Sequence, residues 1–112
     1  MANTTITAPK GFLASGIACG VKKSGKADLG LLVCPTGAGA AAVFTTNKIV
    51  SAAVEVCRRH AKNRCIEAVI VNSGNANACT GKIGLINAEK MCTTVAAQLK
   101  VRPENVLTAS TG

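Results

Sequence analysis

The chain has 112 residues, with thirteen Lys and Arg against five acids, a formal net charge of +8, and 48% apolar residues. That length gives room for one domain with a modest core, and no apolar run is long enough to cross a bilayer as a helix. The basic balance favours an anionic partner, but Phe12 and Phe44 are the only aromatics, too few to stack on a single strand of nucleic acid.

In chain order, the opening Met1–Thr7 stretch is short, polar and uncharged, unlike a secretory signal. Pro9 to Phe12 reads as a turn-like entry, and Phe12 to Gly20 as a strand of small residues. Lys22 to Lys26, with Ser24-Gly25, reads as an exposed hairpin connection. Asp28 to Cys34 is the next strand, its apolar run expected to be buried on both faces. Pro35 to Gly39 reads as a plain turn, since its glycines lack the spacing of a phosphate-binding loop. Ala40 to Thr45 and Ala53 to Cys57 are both expected as strands. Arg58 to Arg64 is polar, with a helical turn as one option. His60, the one histidine, has no partners placed to complete a triad and is assigned to the surface.

Ala68 to Val71 is a short β-branched run and the clearest strand. It feeds Asn72-Ser73-Gly74-Asn75-Ala76-Asn77-Ala78-Cys79-Thr80-Gly81, dense in turn-forming and hydrogen-bonding side chains. Such a loop after a buried strand and before a helix is either a functional site or a rigid connector. The helix signal comes next: Leu85, Ala88, Met91, Cys92, Val95, Ala96 and Leu99 recur at helical spacing, and Pro103 ends it. Val106 to Ala109 reads as a last strand, and Ser110-Thr111-Gly112, on residue types alone, as a turn or a frayed end. Strands followed by a strand–loop–helix–strand unit predict an α/β or α+β layered domain with one helix over a sheet.

Cys19, Cys34, Cys57, Cys65, Cys79 and Cys92 show neither a C-x-x-C pair nor metal-ligand spacing. Several lie in apolar runs, where Cys behaves as a small hydrophobe. They are read as reduced thiols of a cytoplasmic protein. A core of Ala, Val, Ile, Leu and Cys buries little area per residue, so a further chain or partner is expected to stabilise it.

Five ordered blocks, Pro9–Phe12, Gly20–Leu29, Val43–Lys48, Val71–Gly81 and Ala109–Gly112, resemble the N-terminal part of the ornithine acetyltransferase (bifunctional glutamate N-acetyltransferase) family of arginine biosynthesis. The resemblance implies an α/β/β/α fold of N-terminal-nucleophile type and a precursor that cleaves itself into α and β chains. It also implies transfer of an acetyl group from N-acetylornithine to glutamate by a Thr that heads the β chain. By that resemblance Thr111 and Gly112 form the oxyanion hole. No metal or cofactor is expected, with acetyl-CoA an additional donor in some members. Partners would be the β chain, in an α2β2 heterotetramer, and the two amino-acid substrates, with no nucleic acid or membrane. Residues 1–112 would then be a single α-chain segment ending before the self-cleavage site and inactive alone. Fungal members of the family are mitochondrial; here no Arg precedes Arg58, which argues against a transit peptide. The competing readings are an inactive structural fragment and a small basic RNA- or anion-binding module.

Overall fold

A computed structural model describes residues 5–112. Four strands form one sheet in the order β1-β2-β3-β4: β1 Leu13–Ile17, β2 Leu29–Gly39, β3 Cys65–Ser73 and β4 Val106–Thr111. The first two pairings are antiparallel and β3–β4 is parallel. Two helices, α1 Ala52–His60 and α2 Gly81–Leu99, provide the second layer. The α2 crossover carries the chain from β3 to its parallel neighbour, as a parallel pair requires.

Strand periodicity sorts the side chains into two faces. Ala68, Ile70, Val106 and Thr108 are buried under the helices, with Leu31 and Val33 extending that face onto β2. The helices reach it through small residues. Gly84, Ala88, Cys92 and Ala96 recur every fourth position of α2 and are its buried residues, flanked by half-buried Leu85, Met91, Val95 and Leu99. Such a stripe lets α2 lie close on the sheet, and Val56 of α1 completes the centre. The opposite face, with Leu32, Val69 and Leu107 in one cross-strand row, carries no helix among the described residues.

The layered α/β architecture, the strands on either side of the Asn-rich loop and the α2 helix agree with the sequence reading. Several local expectations do not. Asp28 to Cys34 is not buried on both faces, since Leu29 to Val33 are only half-buried, and Ser110 and Thr111 continue β4 beside Asn72 and Ser73 instead of turning or fraying. Ala53 to Cys57 is helix, not strand, because Ser51 caps it by accepting from the Val54 N–H, and Arg58, Arg59 and His60 sit at the favourable C-terminal end. Among the described residues two α-helices therefore lie over the sheet, not one. Pro35 to Gly39 does not turn the chain: β2 runs on through a register shift between Val33 and Ala38, a bulge that accommodates Pro35 and the positive φ of Gly37. Ala40 to Thr45 is irregular: the Ala40 N–H donates to the Arg64 carbonyl, Arg58 donates to the Thr45 carbonyl, and the Arg58 guanidinium lies 5.8 Å from the centre of the Phe44 ring. His60 is half-buried, and its Nδ1 lies 2.7 Å from the Val106 carbonyl, which can only accept, so that nitrogen carries the proton.

Candidate active site

The Asn-rich loop and the end of β4 meet at the C-terminal edge of the parallel pair. The Gly74 and Asn75 N–H groups both donate to the Thr111 carbonyl, at 2.9 and 3.1 Å. Gly74 needs φ +103° for this, and its missing side chain matters: a Cβ there would stand 2.9 Å from Lys22 Cγ and 3.1 Å from Val21 Cγ1. Peptide planarity then sets the direction of the neighbouring amide. With the Thr111 carbonyl directed at β3, the Gly112 N–H on the same trans peptide points away from β3, toward the open edge of β4.

Side-chain bonds hold the rest of the loop. Asn72, buried, donates through Nδ2 to the Asn75 carbonyl and accepts from the Ser110 hydroxyl at 2.6 Å, tying the loop to β4. The Asn75 carboxamide oxygen accepts from the Asn77 N–H, and Asn77 Nδ2 donates to the Gly84 carbonyl inside α2. The Thr80 hydroxyl donates to Asn77 Oδ1. Asn77 and Cys79 adopt left-handed backbone, at φ 49° and 56°, the first easily and the second at some cost. These bonds satisfy the rigid-connector reading, but the loop also supports the Thr111 peptide, so the two readings are not exclusive.

Strand alternation separates two features that the sequence places side by side. Ser110 faces the helices and lines a cleft of about 340 Å3 with Asn72, Asn75, Asn77, Thr80 and Asn87. Thr111 lies on the opposite, helix-free face, exposed, and its hydroxyl has no hydrogen-bond partner among the described residues. The Asn-lined cleft and the Thr111 hydroxyl therefore do not share one pocket.

Asp28 escaped the sequence reading of the site. It is 3% exposed, and its carboxylate accepts from the Cys19 N–H at 2.7 Å and the Lys22 N–H at 2.8 Å. Those two donors hold its carboxyl well below the usual carboxylate range, against the opposing effect of desolvation. Its signals in the sequence are a lone acid heading the apolar run Leu29 to Cys34 and its place in the Gly20–Leu29 block. Of the cysteines, Cys34 and Cys92 are buried, Cys57 is half-buried and the other three are exposed. Burial pushes the Cys92 thiol up to about 12 and also raises that of Cys57; the hydrogen bond with Asp28 raises that of Cys19. None of these three raised thiols, Cys19, Cys57 and Cys92, is poised as a nucleophile. Among the described residues no three metal-binding side chains cluster.

The ArgJ family model matches residues 13–112. The chain belongs to the ArgJ family. Among curated ArgJ proteins, the arginine biosynthesis bifunctional protein of Bacillus cereus is 50% identical over 109 residues, covering 96% of this chain and 26% of that protein. Its counterpart from Synechocystis is 47% identical over 108 residues, again 96% of this chain and 26% of that protein. The chain thus spans about a quarter of the length of these relatives. The crystal structure of ArgJ from Bacillus halodurans superposes with a TM-score of 0.93 at 42% identity, covering 97% of this chain and 57% of that one. Ornithine acetyltransferase from Mycobacterium tuberculosis, solved with ornithine, gives a TM-score of 0.91 at 39% identity, with 96% and 58% covered. The fold of this ArgJ segment is therefore that of experimentally determined ArgJ proteins. No described helix is long and apolar enough to cross a membrane.

Proposed function

We propose that this chain is the N-terminal part of a cytoplasmic acetyltransferase of arginine biosynthesis, which moves an acetyl group from N-acetylornithine to glutamate. Residues 1–112 serve as a single α-chain segment, and Thr111 and Gly112 provide the oxyanion hole. The single observation that carries the reading is the Thr111 peptide. Its carbonyl is taken by two loop N–H groups, which leaves the Gly112 N–H and the Thr111 hydroxyl as outward donors on adjoining residues. A donor pair of this kind suits the anion that forms on an acetyl carbonyl under attack. The reactive Thr comes from a β chain, in an α2β2 assembly. Its hydroxyl adds to the acetyl carbon, the carbonyl electrons move onto oxygen, and their return expels ornithine as its amine takes a proton. The amine of glutamate then attacks the acetyl-Thr, and a second oxyanion forms at the same donors; its collapse breaks the Thr ester bond, releases N-acetylglutamate and returns a proton from the amine to the Thr oxygen. No cofactor enters this scheme, and acetyl-CoA would serve as an alternative donor through the same acetyl-Thr.

The test replaces the matching segment of a full-length ArgJ enzyme with residues 13–112 of this chain and introduces Thr111→Val. Valine keeps the branching and removes the hydroxyl. Loss of a donor that acts on the transition state should lower kcat by about 10²–10³-fold and leave KM little changed. A folded, self-cleaved Thr111→Val enzyme with near-normal kcat would overturn the oxyanion role.

A further inference from the structure

The Gly20–Leu29 block is one of the runs that carry the family resemblance, yet nothing in the proposed chemistry uses it. The structure gives it a place. Asp28 lies where β1, β2 and β3 converge: its N–H donates to the Ile17 carbonyl at 3.0 Å, and its carbonyl accepts from the Ser73 N–H at 2.9 Å. Its carboxylate closes the connection between β1 and β2 by taking the Cys19 and Lys22 N–H groups, one on each oxygen. That closure sets Val21 and Lys22 against the bare Cα of Gly74. Gly74 and Asn75 in turn hold the Thr111 carbonyl. A continuous run of short contacts therefore joins a buried carboxylate to the peptide that presents the Gly112 N–H.

We propose that Asp28 is a positioning residue of the acetyl-transfer site: it clamps residues 19–22 onto Gly74 and so fixes the direction of the Thr111–Gly112 peptide. The inference rests on the oxyanion reading of Thr111 and Gly112. The chemistry explains why an acid is needed. Two N–H groups converge on one side chain, and only a group with two acceptor atoms satisfies both. In Asp28→Asn one oxygen becomes an NH2 facing an N–H donor, so one half of the clamp opens in a variant of the same shape. A part-buried N–H then loses its partner while the β-ladder is untouched.

Two measurements on the Asp28→Asn variant test this. In the isotopically labelled chain, amide hydrogen exchange should quicken by about tenfold or more at Gly74 and Asn75 and stay unchanged at Val69 and Ile70 in the middle of β3. In the full-length ArgJ enzyme carrying residues 13–112, kcat should fall by about 10–10²-fold with KM nearly constant, as expected when donors are misplaced and substrate binding is not. Unchanged exchange at Gly74 and Asn75 overturns the clamp. Should Asp28→Asn unfold the sheet, the double variant Val21→Ala with Lys22→Ala decides, because it keeps the carboxylate and removes what presses on Gly74. It too should quicken exchange at Gly74 and Asn75 alone, and normal exchange there overturns the clamp. Normal kcat in Asp28→Asn beside a crippled Thr111→Val overturns the positioning role alone. Normal kcat in Thr111→Val overturns the oxyanion reading, and the catalytic consequence of the clamp with it.

Discussion

Gly84 opens the first turns of α2 against the Asn-rich loop. A Cβ at that position would overlap Thr80 Oγ1 and stand 2.5 Å from Asn77 Oδ1, the two atoms that form a 2.6 Å hydrogen bond. Two opposing effects meet in Gly84→Ala. Alanine gains up to about 1 kcal/mol of helix propensity over glycine. Forcing a methyl group into a filled site costs about 1–3 kcal/mol. The overlap with the hydroxyl is too deep for a small shift to relieve, so the steric cost should win, with the denaturation midpoint lowered. Thr80→Ala in the same chain removes the clashing hydroxyl and should restore part of the loss, a coupling that additive effects would not give. A Gly84→Ala chain as stable as its parent would show that Thr80 does not occupy that site. The glycine is visible in the sequence as a residue near the helix start. What it makes room for is not, because Thr80 and Asn77 reach it only through the left-handed turns at Asn77 and Cys79.

Elements were legible where one period dominated. Ala68 to Val71 and the α2 stripe each have a single strong repeat, and both stand where the sequence puts them. Ala53 to Cys57 fails because five residues with Val54 and Val56 two apart fit a strand as well as a helix, so the flanks must decide. Those flanks were informative: Ser51 ahead, Glu55 in the first turn, and Arg58, Arg59 and His60 in the last. Pro35 misled in the opposite direction, since proline and two glycines mark a turn unless a bulge absorbs them. The assignment of Thr111 and Gly112 comes from the family resemblance and not from residue chemistry. The support of Thr111 by Gly74 and Asn75 spans a distance in sequence that no local pattern encodes. The α1 assignment makes its own prediction. Ser51→Ala removes the cap on the Val54 N–H, a bond of 3.4 Å and so a weak one. The loss should fall near the low end of the cap range, about 0.5–1 kcal/mol, while Ser51→Gly should cost only a few tenths. Equal stability of all three chains in denaturant titrations would argue that the cap contributes nothing.

At the scale of the whole molecule, the chain exposes 7558 Å2, where a compact monomer of 11.3 kDa is expected to expose about 5,700 Å2. The difference has a structural address. β1 is exposed along its whole length, with Leu13 at 62% and Ile17 at 54%. The helix-free face presents Leu32, Val69 and Leu107 in one row, with Val71 and Ala109 in the next. Leucine, valine and alanine side chains make that face apolar, a surface suited to stacking on another sheet. In isolation the chain should therefore bind a hydrophobic dye and associate with rising concentration in sedimentation velocity. Val71 is the residue with which to locate the contact. It lies on the helix-free face at 39% exposure, beside Gly30 and Ala109, so a lysine there can extend its charge into water without disturbing the helix-covered core. Val71→Lys should reduce both dye binding and association while leaving the far-ultraviolet circular dichroism unchanged. Association that persists at parental strength in Val71→Lys would move the contact to the apolar groove that Ile17, Leu31, Val95 and Leu99 line beside α2. A parental chain that stays monomeric and dye-free at all concentrations would mean that the bare face is not sticky, and that the excess surface belongs to the polar segments around Lys22 and Thr45.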